Sequence, residues 1–412
     1  MMEPKGFSTK IIHSSYLKKD THNALHMPIY SNAAFEFENA EQMEQAFLGR
    51  QPDHTYSRIS NPTVENFEQK IKAITGSLSV TALSSGMAAI SNVFLTFAEA
   101  GDNIITSKHL FGNSYSFLDS TLRAFGVEPR FCDLTDANDI ERNIDKNTKA
   151  LFFETITNPQ LEVVDIHKLS LIARNRQLLL IADSTITPFN IFKAKDFGVN
   201  IEVISSTKII SGGATSIGGL IVDHGTFDWK AIPKLEAFAN KFGPFAFNAK
   251  LRKEVFRNLG ACMSPYHAYL QSIGLETLDL RYVKAASNCK QVAEFLKQHN
   301  HIVSVNFPGL KDSAFYDISK KQFGDLPGAV LSFNLRTKEE CFEFLNKLTI
   351  IRRATNLFDN KTLIIHPAST IFCEFSKEAR DDMGVMDTLI RLSLGIEDID
   401  DLIGDINNAL IR

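Results

Sequence analysis

Between residues 79 and 223 the chain repeats one pattern, a short continuously apolar segment followed by a helix-length one. "SVTALSS" (79–85), "NIITSK" (103–108), "PRFCDL" (129–134), "KALFFETI" (149–156), "LLLIADS" (178–184), "IEVISST" (201–207) and "GGLIVD" (218–223) read as strands. "GMAAISNVFLTFAEAG" (86–101), closed by its glycine, "NSYSFLDSTLRAFG" (113–126), "DANDIERNI" (136–144), capped by Asp136, and "DIHKLSLIARNRQ" (165–177) read as helices. Strands that are apolar on both faces belong in a mostly parallel sheet covered by helices on each side. The fold class is therefore α/β, with seven strand segments in the sheet.

The flanks differ. Residues 1–60 lack sustained periodicity and read as an extended arm with short helical pieces such as 40–48. From about residue 256 a long helical stretch (264–300), a strand-like "GAVLSFNL" (328–335) and a terminal helix (398–411) describe a smaller α+β domain. The expected division is 1–60, 61–255 and 256–412, in line with a chain of 412 residues being too long for one core. Net charge is −4 with no basic run, which argues against nucleic acid and anionic membrane as partners. No stretch of 18 apolar residues occurs, and residues 1–15 lack the apolar region of a signal peptide. Five cysteines without CxxC spacing suit reduced thiols in a cytoplasm and no metal site.

One lysine stands out within this frame. Lys208 follows the mostly apolar run 201–204 and the hydroxyl residues Ser205, Ser206 and Thr207, and a glycine-rich turn follows it. On its own it is a surface lysine closing a strand. In a doubly wound sheet, however, ligands bind beyond the carboxyl ends of the strands, and other polar residues share such ends. Asp183 closes "LLLIAD". Asn158 lies in "TITNPQ", and by itself is a turn residue. Ser85, Gly86 and Met87 form a strand-to-helix turn, whose free N–H groups suit a phosphate. Pyridoxal phosphate needs a lysine for a Schiff base, an acid for its ring nitrogen and a cradle for its phosphate. Lys208, Asp183, and the turn 85–87 with Ser205 and Thr207 supply these parts.

The motifs "YSRISNPT" (56–63), "SSGMAAIS" (84–91), "ETITNPQLEVVDI" (154–166), "IADSTITP" (181–188), "SSTKIISGGATSIGG" (205–219), "MSPYHAYLQSIGLETLDLR" (263–281), "IHPAST" (365–370) and "RLSLGIEDIDDLI" (391–403) carry a resemblance. From about residue 8 to its end, the chain resembles the Cys/Met-metabolism, or transsulfuration, family of pyridoxal-phosphate enzymes of fold type I. The resemblance implies that Lys208 is the Schiff-base lysine and proton shuttle, and that Asp183 faces the pyridinium nitrogen. It implies that Gly86, Met87, Ser205 and Thr207 hold the phosphate, and that Tyr56 and Arg58 reach it from a neighbouring subunit. Phe111 would stack on the cofactor. Asn158 would lie near the cofactor ring and the substrate carboxylate, Asn356 would contact substrate, and Arg391 would clamp the α-carboxylate. A homotetramer, built as a pair of dimers, is the implied assembly.

Three departures bear on activity. Phe111 stands where the family usually has tyrosine, keeping the ring and losing the hydroxyl. Asn113 stands where methionine γ-lyases have cysteine. "NLFDNKTLIIHPAST" (356–370) resembles the corresponding stretch of O-acetylhomoserine sulfhydrylases, with Lys361 where γ-synthases and lyases commonly have glutamate, and Phe358 in place of the sulfhydrylase glycine. The implied reaction is γ-replacement on O-acetyl-L-homoserine with sulfide or a thiol, giving homocysteine or methionine. The alternatives are methionine or cystathionine γ-lyase, cystathionine γ-synthase, and a catalytically silent relative.

Overall fold

A computed structural model of the chain describes residues 6–13 and 20–411, so parts of the expected arm, 1–5 and 14–19, and Arg412 lie outside the described residues. Seven strands, β1 (Ser79–Leu83), β2 (Asn103–Thr106), β3 (Glu128–Phe131), β4 (Thr148–Glu154), β5 (Leu179–Asp183), β6 (Ile201–Ile204) and β7 (Gly219–Asp223), form one sheet in the order β1-β7-β6-β5-β4-β2-β3. Only β7 runs against its neighbours. The sheet is apolar on both sides because side chains alternate between faces. Phe152 and Phe153, adjacent in β4, are both fully buried, each in a different apolar layer.

Local chemistry sets the element ends. The helix Gly86–Phe97 begins at Ser85, whose hydroxyl accepts the Ala88 N–H at 3.0 Å. This helix stops short of the expected glycine. Lys234 Nζ donates to the carbonyls of Leu95 and Ala98, at 2.9 and 2.5 Å, and so satisfies the helix end directly. Gly101, with φ +96°, serves the turn into β2 instead.

The expected long helix 264–300 is two helices, Pro265–Glu276 and Leu278–Gln298. A Cβ on Gly274 would lie 2.4 Å from the Ile210 carbonyl, so the first helix packs backbone to backbone on the loop after Lys208. Arg281 locks the break, donating to the carbonyls of Gly274 at 2.5 Å and Ile209 at 2.7 Å.

A second sheet holds β8 (Ser304–Asn306), β9 (Val330–Asn334), β10 (Arg352–Arg353), β11 (Leu363–Ile365) and β12 (Leu389–Ser393), ordered β10-β11-β12-β9-β8. β12 is flanked on both sides, which makes it a rigid platform for Arg391. Phe358 beside it takes a left-handed backbone with φ +53°, yet is buried against Tyr282. That backbone costs about 1–2 kcal/mol. Truncating a buried phenylalanine costs about 3–5 kcal/mol. Packing therefore outweighs the conformational preference for glycine at this position.

Candidate active site

The carboxyl ends of β4, β5 and β6 converge on one pocket, closed from the other side by the loop before β11 and by β12. Its lining includes Gly86, Met87, Phe111, Asn158, Asp183, Ser205, Lys208 and Arg391. These expected residues come from six separate stretches of the chain.

Lys208 is the amine of the site. Its Nζ donates to Asn356 Oδ1 at 2.8 Å. Burial, and then the nearby Arg391 charge, lower its pKa to about 8, while Asp183 pulls the other way. At pH 8 roughly half of such an amine is neutral, against under about 1% of an ordinary lysine. A partly neutral amine can act as nucleophile and base.

Asp183 accepts the Thr185 N–H at 3.0 Å, and Thr185 Oγ1 in turn accepts the Ser205 N–H at 2.9 Å. Burial pushes the Asp183 carboxyl up, the Thr185 hydrogen bonds pull it down, Glu202 adds to the rise and Lys208 opposes it. Arg391 is 2% exposed and has no acidic partner among the described residues. It donates from Nη1 to Asn158 Oδ1 and from Nη2 to the Asn356 carbonyl, both at 3.3 Å, while its Nε is unpartnered. Burial lowers its pKa to about 9. A buried guanidinium held only by neutral acceptors is a site for an anion.

The helix start at Gly86 fits a phosphate. Gly86 and Met87 carry orphan N–H groups of a helix's first turn. A Cβ on Gly86 would sit 2.7 Å from Ser205 Cβ, so only glycine allows the turn to approach the β6 end this closely. Ser85 and Thr207 shape this cradle without lining the pocket. Ser85 caps the helix, and Thr207 Oγ1 donates to the Gly218 carbonyl and accepts its N–H, at 3.1 and 3.0 Å. An amine, a buried acid and a helix N-terminus around one cavity fit pyridoxal phosphate.

Tyr56 and Arg58 do not line the pocket of their own chain. Tyr56 is partly exposed, and the Arg58 guanidinium lies 5.5 Å from its ring centroid. Arg58 Nη1 donates to the Arg257 carbonyl at 2.7 Å.

Sequence reasoning missed Glu154. It ends β4 in register with Asp183 on β5 and accepts the Phe111 N–H at 2.7 Å. Burial and the Asp183 charge hold its carboxyl well above the usual range. The signal was the one that marked Asp183, an acid closing an apolar strand. Thr185, Thr355 and Leu357 also line the pocket and were not foreseen.

The family model for Cys/Met metabolism PLP-dependent enzymes matches residues 8–411. The chain belongs to this family. The Cys/Met metabolism chain is 34% identical to an O-acetyl-L-homoserine sulfhydrylase of Corynebacterium glutamicum, over 98% of this chain and 96% of that one. It is equally 34% identical to an L-methionine gamma-lyase of Fusobacterium nucleatum, over 99% of each. A solved structure of O-acetylhomoserine sulfhydrylase from the methionine biosynthetic pathway of Wolinella succinogenes is 48% identical, with a TM-score of 0.77, over 85% of this chain and 97% of that one. As a member of this family the chain is a PLP-dependent enzyme.

Proposed function

We propose that this chain carries out γ-replacement on O-acetyl-L-homoserine, with sulfide or a thiol displacing acetate to give homocysteine or methionine. The observation that carries the reading is the buried, acid-free Arg391 at the wall of a pocket that also holds the Lys208 amine. That pair suits an amino acid, its carboxylate on the guanidinium and its amino end toward the lysine. The 48% identical sulfhydrylase supports the choice of reaction.

Bound pyridoxal phosphate supplies an electron sink that makes protons near the substrate's amine carbon removable. Lys208 would hold the cofactor covalently and then take and return those protons at Nζ, with Asn356 Oδ1 fixing the free amine. Asp183 would keep the ring nitrogen protonated. The N–H groups of Gly86 and Met87 and the Ser205 hydroxyl would hold the phosphate, with Thr207 shaping the cradle beside them. Asn158 would orient Arg391 toward the substrate carboxylate.

Phe111 supports ester over thioether substrates. It presents a ring without a hydroxyl, so it cannot protonate a leaving group. Acetate leaves as a stable carboxylate and needs little acid help, whereas a thiolate leaves less readily. O-acetylhomoserine with sulfide should therefore be consumed much faster than methionine is cleaved. Phe111→Tyr should change the ester reaction little and raise cleavage of methionine. Measuring kcat/KM for both substrates in both proteins checks this; a native preference for methionine would overturn the sulfhydrylase reading in favour of the γ-lyase one.

The assembly belongs to the same proposal, as a cytoplasmic homotetramer whose minimal active unit is a dimer, with Tyr56 and Arg58 completing the neighbour's phosphate site. That neither residue lines the pocket of its own chain supports this. Mixing inactive Lys208→Ala subunits with weakened Arg58→Ala subunits should restore activity, since a mixed dimer can form one intact site. No recovery despite proven subunit exchange would mean that each site is built from one chain.

A further inference from the structure

A second buried polar cluster lies on the sheet face opposite Asp183, and the proposed reaction does not use it. Glu202 of β6 is 1% exposed, and His224, directly after β7, is 3% exposed. Glu202 is in register with Ala182 of β5 and Val222 of β7, so its side chain leaves the sheet on the face opposite that of Asp183. Asp183, the residue after Ala182, faces the pocket.

Ser184, next to Asp183, donates its hydroxyl to Glu202 Oε1. His224 Nε2 lies 3.4 Å from Glu202 Oε2, while neither imidazole nitrogen makes a hydrogen bond. Glu202 and His224 line a cavity of about 80 Å³ with Thr75, Lys193, Lys195 and Asp196. Burying a carboxylate among Ala182, Val222 and the cavity's Phe189 and Phe192 is costly. An apolar side chain would pack there more cheaply. What an apolar residue would not supply is charge one strand away from Asp183.

We infer that Glu202, backed by His224, is a positioning residue that holds negative charge behind Asp183 and so tightens the hold of Asp183 and the cofactor's ring nitrogen on their shared proton. The inference rests on the proposed placement of Asp183 against that nitrogen. A carboxylate behind the pair favours the protonated ring, because it stabilises the positive charge and discourages transfer of the proton to solvent. Other charges bear on the same pair. Glu154 faces it from β4, Lys208 from beyond β6 and Arg391 from β12. His224 flanks Glu202 from just beyond β7, with Lys193, Lys195 and Asp196 across the cavity, while Asp223 is in register with Ile201 and so lies on the other face of the sheet.

The test loads the protein with ring-¹⁵N pyridoxal phosphate and follows the nitrogen's chemical shift against pH. Glu202→Gln keeps an oxygen for Ser184 and nearly the same volume while removing the charge. It should lower the pH at which the ring nitrogen loses its proton by about one unit. Glu202→Asp should restore the native midpoint at least in part. Ser184→Ala should leave the midpoint in place, because the charge acts through space. If the glutamine variant does not fold, Glu202→Met, suited to Phe189 and Phe192, should show the same downward move. Identical titrations of native and charge-free variants would overturn the inference while Asp183→Asn still deprotonates the ring. An unchanged ring in Asp183→Asn would instead overturn the placement of Asp183 itself.

Discussion

Lys208→Ala should still bind pyridoxal phosphate but turn over O-acetylhomoserine at least about ten-thousandfold more slowly than the native protein. Two roles disappear together, the covalent anchor and the base. The phosphate cradle at Gly86 and Met87, and Asp183 at the end of β5, do not depend on the lysine side chain. Asn356 loses the amine it holds at 2.8 Å, while Arg391 keeps its own hydrogen bonds to Asn158 and the Asn356 carbonyl. The checks are single-turnover rates and cofactor retention after gel filtration. Turnover near the native rate would remove Lys208 from the chemistry.

Asp183→Asn should lower kcat on the order of a thousandfold, with a much smaller change in KM. The amide keeps the volume and the hydrogen bond from Thr185, but it cannot hold a charge against the ring nitrogen. The native carboxyl is buried, yet Thr185 and Lys208 favour its charged form. The neighbouring Glu154 is held well above the carboxylate range by burial and by Asp183 itself. Burial raises both acids at these adjacent strand ends, Glu154 well above the usual range and Asp183 with Thr185 and Lys208 opposing the rise. A kcat within a few-fold of native would assign the ring nitrogen to another acid, with Glu154 the first to examine.

The strand ends explain why so much of this site was legible in sequence. Asp183 closes a continuously apolar run, Lys208 follows "IEVI" and three hydroxyl residues, and a polar residue at such a strand end lies at the rim of the sheet. Glu154 carries the same mark but sits inside the apolar "KALFFETI", where it reads as the tail of a strand. Arg391 had no local signal. It lies in the middle of β12, and its meaning comes from Asn158 and Asn356, which are distant in sequence. Glu202 and His224 read as ordinary strand and turn residues, because their burial depends on which strands flank them. The antiparallel course of β7 and the break at Thr277 were also hidden. The break reflects the contact of Gly274 with the loop after Lys208, a tertiary constraint that helix periodicity does not record.

Reducing the cofactor-loaded protein with borohydride, followed by peptide mapping, tests the central assignment most directly. The account predicts a pyridoxyl group on Lys208 alone, in the peptide spanning "SSTKIISGG". A pyridoxyl group on any other lysine, with Lys208 unmodified, would contradict it.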